Sequence, residues 1–210
     1  ETAKATSSRA RYRPMLSTST ETLPRGREWT FEPKWDGYRA IVTIRGGEAT
    51  FTSRRGLDLT ERFRDAARAT QLAVRSAEAV LDGEICSLDD EGRSRFGQLQ
   101  DGSGTLVLVV FDLLELDSEP LVDLPLSERR KRLAKLIDPA VGRVVVSPSF
   151  DDGEALLAAA KAQGLEGVVA KRLDSTYQPG RRGVEWRKMK VRRRQEVVVV
   201  IGCDRFSVRF

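Results

Sequence analysis

The longest apolar run of the sequence, Leu106 to Leu116, restricts the fold more than any other feature. Asp112 and Glu115 interrupt it, and it falls well short of the roughly 20 residues that a membrane-spanning helix needs. Its Leu- and Val-rich composition predicts instead a strand buried inside a soluble protein with no membrane contact. A second apolar run, residues 79–88, predicts another buried strand, and we expect the two runs to belong to one sheet system.

Shorter patterns on either side predict a mixture of strands and helices. Apolar and β-branched runs predict strands at 29–31, 38–45, 49–52, 144–146, 167–171, 185–191 and 195–203. Helical spacing predicts helices at 60–72, with Thr60 as N-cap, and at 126–137 and 152–163. These elements do not alternate regularly, so the pattern favours an α+β domain with antiparallel or mixed sheets flanked by helices.

The chain divides into three parts by composition. Residues 1–22 are rich in Ser, Thr, Ala and Arg without periodicity, which predicts a flexible N-terminal segment. Residues 23–192 carry the patterns of one domain, and residues 193–210 predict a linker and the first strand of a further unit. The first ten residues lack the apolar core of a secretory signal, so the cytoplasm is the expected compartment.

The sequence contains no histidine, which excludes several kinds of catalytic centre. Ser-His-Asp triads, Cys-His dyads and histidine zinc sites all need the imidazole ring. Catalysis therefore depends on Lys, Arg, Asp, Glu or hydroxyl groups. The two cysteines, Cys86 and Cys203, lie in apolar segments and are expected as buried thiols, although one disulfide between them is possible.

Positive charge is concentrated near the C-terminus. Residues 181–194 hold eight Lys or Arg and a single acidic residue, more than the net charge of +5 for the whole chain. A basic strip on a nearly neutral body suggests a surface that binds a polyanion, for which phosphate is the commonest group. On charge alone, a solvated tail is an equally good interpretation.

The densest cluster of reactive side chains is Glu32-Pro33-Lys34-Trp35-Asp36-Gly37-Tyr38-Arg39. Neighbouring cations would disfavour the ammonium form of Lys34, which makes an amine nucleophilic at neutral pH. Gly37 would permit close approach of the backbone to a ligand, and Arg39 offers a fork of donors. By itself, however, the cluster is also compatible with a charged hairpin turn.

Six segments in order resemble the motifs of covalent nucleotidyltransferases, the superfamily of ATP-dependent DNA ligases, RNA ligases and capping enzymes. They are Lys34–Arg39, Ser53–Gly56, Leu81–Glu84, Val110–Leu114, Glu166–Lys171 and Trp186–Lys190. Two further segments resemble those of bacterial DNA ligases of the end-joining type: Arg13-Pro14-Met15-Leu16 and Ser175-x-Tyr177-x-x-Gly180-Arg181. The resemblance implies an α+β, ATP-grasp-like nucleotidyltransferase domain followed by an OB-fold, of which only the first strand is present.

The resemblance also implies a role for each candidate residue in binding ATP. Lys34 would attack the α-phosphate and form a covalent lysyl-AMP. Glu32 would lie at the adenine edge, and Phe111 would stack on the adenine ring. Arg39 and Glu84 would hold the ribose.

Further residues would serve the phosphates and a metal ion. Arg54 would contact the phosphate of AMP or the 5′-phosphate of DNA. Lys171, Lys188 and Lys190 would neutralise the α-phosphate during transfer, and Lys188 and Lys190 would share one face of a strand. The implied metal is Mg²⁺ or Mn²⁺, which carboxylate oxygens hold together with water. Its candidate ligands are Glu166, Asp36 and Glu84.

The implied substrate is nicked or broken double-stranded DNA, bound by a monomer that is associated with the nucleoid and with end-joining partner proteins or domains. Two alternatives stay open. An RNA ligase domain would use the same chemistry but recognise the RNA 2′-hydroxyl. A non-catalytic nucleotide- or DNA-binding module could share the fold, although the intact Lys34 argues against it.

Overall fold

The computed structural model describes residues 12–191. The strands in this range are β1 Leu16–Ser19, β2 Trp29–Pro33, β3 Tyr38–Arg45, β4 Glu48–Ser53, β5 Ala79–Leu88, β6 Thr105–Leu116, β7 Glu119–Pro120, β8 Val144–Val146, β9 Gly167–Arg172 and β10 Arg182–Lys190. The helices are α1 Arg64–Ala73, α2 Phe96–Asp101, α3 Leu126–Leu136 and α4 Gly153–Gln163, with a 3₁₀ turn at Pro139–Val141. None of these helices is long and apolar enough to cross a membrane.

The strands form two sheets, which confirms the predicted α+β class. The smaller sheet has the order β1-β10-β9-β2, in which β1 runs parallel to β10 and the other pairs are antiparallel. The larger sheet has the order β4-β3-β5-β6-β7, with β8 parallel to β6. The predicted pairing of the two apolar runs is present as the β5-β6 pair.

Apolar side chains hold the layers together. Helices α1 and α3 pack on the larger sheet through the main hydrophobic cluster, and α4 packs on the smaller sheet against Trp29 and Phe31. A separate cluster joins the two sheets, with Ile41 and Phe111 from the larger sheet and Trp186 from the smaller one. The sheets therefore face each other across a shared apolar layer.

Residues 12–19 are part of the fold, so the prediction of a flexible segment over 1–22 is wrong for this stretch. Met15 is fully buried, Tyr12 is 6% exposed, and Leu16–Ser19 forms the edge strand of the smaller sheet. A strand of four residues is too short to show a periodicity in the sequence. Its position depends on pairing with β10, which lies far along the chain.

The first predicted helix begins later than expected. Helix α1 starts at Arg64 after Phe63, and Thr60 is not its N-cap. The Thr60 hydroxyl instead accepts a hydrogen bond from the backbone N–H of Phe51, at 2.9 Å, because the chain folds back on β4 at this point.

Other predicted elements agree within a few residues, including α4, whose N-cap is Asp152. The short helix α2 was not predicted, since only Leu99 of its residues is buried. Cys86 is a buried free thiol, as expected. The predicted strand at 195–203, with Cys203 and the start of an OB-fold, lies outside the described residues.

Candidate active site

A cleft that is open to solvent lies between the two sheets, and strand β1 at the edge of the smaller sheet contributes to its wall. Eight residues predicted from the sequence line it: Glu32, Lys34, Arg39, Arg54, Glu84, Phe111, Lys171 and Lys188. The cleft is also lined by residues that were not predicted, namely Pro14, Met15, Leu16, Ser17, Pro33, Trp35, Val169, Arg182 and Trp186.

Lys34 and Glu166 form an ion pair at this cleft, and their side chains are 20% and 21% exposed. Strand pairing positions them, because β2 runs antiparallel to β9 and the backbone N–H of Lys34 donates to the carbonyl of Gly167, at 2.8 Å. Lys190 Nζ lies 3.0 Å from the other oxygen of Glu166. Although burial acts to raise it, contact with the two ammonium groups holds the pKa of Glu166 below its usual value.

Lys188 adds a further cation beside Lys34. It lies two residues from Lys190 on β10, as the alternation in the sequence predicts, and it lines the cleft. Burial and then the charges of Lys34 and Arg182 lower the pKa of Lys188. The cluster of positive charge at this end suits a polyphosphate group.

Another part of the cleft is built around the carboxylate of Glu32, which is 2% exposed. Its two oxygens accept from different cations, Arg130 at 2.6 Å and Lys171 at 2.9 Å. Lys171 is itself buried, and burial lowers its pKa although Glu32 opposes the change. The structure thus pairs Lys171 with Glu32, in the part of the cleft where the resemblance places the adenine.

Phe111 is 6% exposed and lies beside these groups. The ammonium of Lys171 lies 4.4 Å, and the guanidinium of Arg39 4.5 Å, from the centre of its ring. Trp186 meets the same ring edge-on, at 6.4 Å between centroids. A planar base that stacks on Phe111 therefore has to displace one of these neighbours.

Arg39 is held by a buried hydrogen-bond network that the sequence analysis did not identify. It forms two hydrogen bonds, of 2.6 and 2.7 Å, with the fully buried carboxylate of Asp82. Tyr177 donates to the same carboxylate at 2.6 Å and accepts from the backbone N–H of Met15 at 2.8 Å. Burial acts to lower the pKa of Arg39, but the charge of Asp82 outweighs it and raises this pKa. Asp82 and Tyr177 both lie inside segments that resemble the family motifs, but the resemblance had assigned them no role.

Glu84 lies opposite Arg39 in the pairing of β3 with β5. Removal from water raises the pKa of Glu84 to about 7, while the positive charges of Arg39 and Lys34 oppose the rise. The carboxyl group therefore titrates near neutral pH in the cleft.

Gly37 is required by the fold, a reason that the sequence prediction did not include. A Cβ atom at this position would lie 2.1 Å from the backbone oxygen of Ile85. Strand β5 therefore passes too close for any other residue. Asp36 is not among the residues that line the cleft, and its backbone N–H donates to Ser94 Oγ at 3.3 Å.

The three predicted metal ligands are not gathered into one cluster. Across residues 12–191, no group of three or more acidic, cysteine or histidine side chains is close enough to hold a metal ion. Glu84 lines the cleft and Glu166 contacts Lys34, whereas Asp36 lies to one side. A metal ion in the cleft could therefore bind one or two carboxylates, those of Glu166 and Glu84, and would take its other ligands from water and phosphate.

A lysine in ion contact with a carboxylate, among further cations in an open cleft, is the arrangement that the chemistry of a covalent nucleotidyltransferase needs. The chain belongs to the ATP-dependent DNA ligase domain family, whose model matches residues 14–190. This finding confirms the resemblance carried by the six motifs.

The chain is similar both to multifunctional end-joining proteins and to DNA ligases. The multifunctional non-homologous end joining protein LigD of Mycolicibacterium smegmatis is 39% identical over 193 residues, which cover 90% of this chain and 25% of that protein. The DNA ligase of Thermococcus onnurineus is 31% identical over 214 residues, covering 91% of this chain and 38% of that protein.

A solved structure of mycobacterial DNA ligase D complexed with ATP and MES is similar in fold, with a TM-score of 0.75 and 36% identity. The match covers 90% of this chain and 63% of that one. The chain spans about a quarter of the length of the end-joining relatives that it matches.

Proposed function

We propose that this domain carries out the nucleotidyl transfer steps of DNA ligation, with Lys34 as the nucleophile. The observation that carries the proposal is the placement of Lys34, which lies in ion contact with Glu166 and at the cation-rich end of the cleft. A lysine in this position can reach a phosphate group that the surrounding cations bind. The family description and a similar solved structure both name ATP. We therefore assign the attacked group as the α-phosphate of ATP.

The first step forms a bond between Lys34 Nζ and the α-phosphorus. The ammonium group must first lose a proton, and the Glu166 carboxylate that contacts it is placed to accept this proton. The bond from phosphorus to the bridging oxygen then breaks, and pyrophosphate leaves with the electron pair. Lys188 stabilises the charge on the phosphate oxygens.

The second and third steps use the AMP held on Lys34. An oxygen of the DNA 5′-phosphate attacks the phosphorus, and the bond to Lys34 breaks as the amine regains a proton. The 3′-hydroxyl of the adjoining strand next attacks the activated 5′-phosphate, and AMP leaves. Arg54, which lines the cleft, is positioned to bind either phosphate.

The other side chains of the cleft suit the nucleoside. Glu32 presents acceptor oxygens for the amino group of adenine, and Phe111 would offer an apolar face once Arg39 or Lys171 moves off its ring. Arg39 and Glu84, which are cross-strand partners on β3 and β5 and both line the cleft, would hold the ribose hydroxyls. Lys171 supports Glu32 by its ion pair.

The cleft also suits Mg²⁺ or Mn²⁺, because such ions bind through one or two carboxylates and complete their shell with water and phosphate oxygens. Glu166 would hold the ion and Glu84 would contact it through water, while Asp36 is less well placed. When bound, the ion neutralises charge on the phosphates.

The proposed substrate is a nick or break in double-stranded DNA, sealed as part of end joining. The names of the relatives support this context, and other domains or proteins of the end-joining system would bring the ends together. We infer that the domain works as a monomer on chromosomal DNA.

Mass spectrometry after incubation with ATP and Mg²⁺ tests the proposal. We expect one added AMP, mapped to the peptide that contains Lys34. An adduct on another residue, or none with either metal, would overturn the assignment and favour the binding-module alternative. Nicked duplexes with a DNA or an RNA strand at the 3′ side of the nick then separate DNA from RNA ligation.

A further inference from the structure

Arg130, on helix α3, reaches into the site from a position that the sequence analysis did not single out. Its guanidinium donates to Glu32 Oε1 at 2.6 Å and to the backbone oxygen of Ser147 at 2.7 Å. It also lies 3.5 Å from the backbone oxygen of Phe111. The Arg130 side chain is 14% exposed, so it lies largely inside the protein.

The two cations on Glu32 fix the direction of its carboxylate. Arg130 holds one oxygen and Lys171 the other, so the carboxylate cannot rotate without losing an ion pair. A carboxylate oxygen has a second lone pair, which leaves each oxygen able to accept one more hydrogen bond. Glu32 also lines the cleft, so these acceptors are available to a bound base.

We propose that Arg130 is a positioning residue for base selection: it orients Glu32 so that the site accepts adenine and rejects guanine. The amino group of adenine donates to an ionised carboxylate, whereas the carbonyl oxygen of guanine at the same ring position is repelled by it. This inference rests on the proposed function, which places the base at Glu32.

The second contact of Arg130 explains why an arginine is needed. The flat guanidinium bridges Glu32 and the backbone of Ser147, two groups that a lysine cannot bind with the same geometry. Ser147 also accepts a hydrogen bond from the ring N–H of Trp35, at 3.0 Å. Arg130 thus ties Glu32 to Ser147, which in turn contacts Trp35, the residue next to Lys34.

The test compares lysyl-nucleotide formation from ATP, GTP and purine riboside triphosphate, which lacks the amino group. Arg130→Met removes the charge but keeps much of the side-chain length. We measure the preference as the ratio of kcat/KM for ATP to kcat/KM for each analogue. We expect both ratios to fall by about tenfold, mainly because the KM for ATP rises. Arg132→Met, two residues along the helix at a 40% exposed side chain, is the matched control and should keep the preference.

Two further variants sharpen the result. Arg130→Lys keeps the charge, and we expect a smaller loss of preference; this variant carries the test if Arg130→Met does not fold. Adding Arg130→Met to Glu32→Gln should cause no further loss of preference, because Arg130 acts through Glu32.

Equal slowing with all three nucleotides, at an unchanged preference, would show that Arg130 is only structural and would overturn the inference. A wild-type protein that forms no adduct with any nucleotide would instead overturn the proposed function. The two failures are therefore distinguishable.

Discussion

Lys34 and Glu166, 132 residues apart in the sequence, form an ion pair beside the cleft. Each lies at the end of a strand, Lys34 directly after β2 and Glu166 directly before β9. Because these strands are antiparallel neighbours, the end of one meets the start of the other. The pair is therefore a consequence of sheet register, and it puts a carboxylate in contact with the lysine that we propose as the nucleophile.

Replacing Lys34 with alanine should abolish the covalent adduct, because no other amine takes its place in the bond to phosphorus. Lys34→Arg should be equally inactive, since a guanidinium stays protonated and has no free lone pair. The check is intact mass after incubation with ATP and Mg²⁺. Lys131→Ala, at an exposed lysine of α3, is the control and should form the adduct normally.

Glu166→Gln keeps the shape of the side chain but removes its charge. We expect adduct formation to slow by about 100-fold or more, since the carboxylate is proposed to accept the proton of Lys34 and to hold the metal. The Mg²⁺ concentration that gives half the maximal rate should rise, and a chelator should stop the reaction. Glu154→Gln, at an exposed position of α4, should change neither quantity. An unchanged metal requirement in Glu166→Gln would assign the ion to other ligands.

Glu84 makes the stability of the fold depend on pH. Its pKa of about 7 in the folded protein exceeds the ordinary value of 4.5, so the folded state binds the proton more tightly than the unfolded state. This contribution to stability is fully present below about pH 4.5 and is lost as the pH rises through 7. A glutamine at this position is neutral at all pH values, so Glu84→Gln should not show this loss of stability.

Urea unfolding of wild type and Glu84→Gln at several pH values between 4.5 and 8 measures this effect. The free energy of unfolding of the variant, relative to wild type, should rise by up to about 3 kcal/mol over this range. Parallel pH profiles for the two proteins would show that Glu84 ionises normally in the cleft.

Asp112 and Arg129 form a fully buried ion pair between β6 and α3, with contacts of 2.7 and 2.9 Å. Arg129 also donates to the backbone oxygen of Ser175, in the segment that leads to Tyr177. Asp112→Asn leaves the guanidinium buried without a counter-charge, which should cost about 3 to 5 kcal/mol in the free energy of unfolding.

The matched control for this pair is Glu128→Gln, which breaks an exposed ion pair between Glu128 and Lys131 on the same helix α3. We expect this variant to change the free energy of unfolding by no more than about 1 kcal/mol. Chemical denaturation compares the two variants. Similar losses in both would mean that the buried pair contributes no more to stability than the exposed one.

The sequence alone determined the local elements and the reactive motif. Strands Tyr38–Arg45, Ala79–Leu88 and Val144–Val146 begin and end where the residue pattern predicts. The reason is physical: side-chain alternation, apolar runs and glycine turns act between neighbouring residues, so a linear pattern carries them. For the same reason the β3-β4 hairpin, with Gly46 and Gly47 at positive φ, could be predicted.

Only the tertiary structure decided which partners complete the site. Arg130 meets Glu32 across 98 residues, and Tyr177 meets Asp82 across 95. In the sequence Arg130 resembles an ordinary helix residue, and the motifs that hold Asp82 and Tyr177 do not show that the two meet. Their roles depend on which strands pair and on what each buried charge must contact. The same holds for Met15, whose burial depends on the pairing of β1 with β10. Residue type set the possible chemistry, whereas sheet register set the distances at which it can occur.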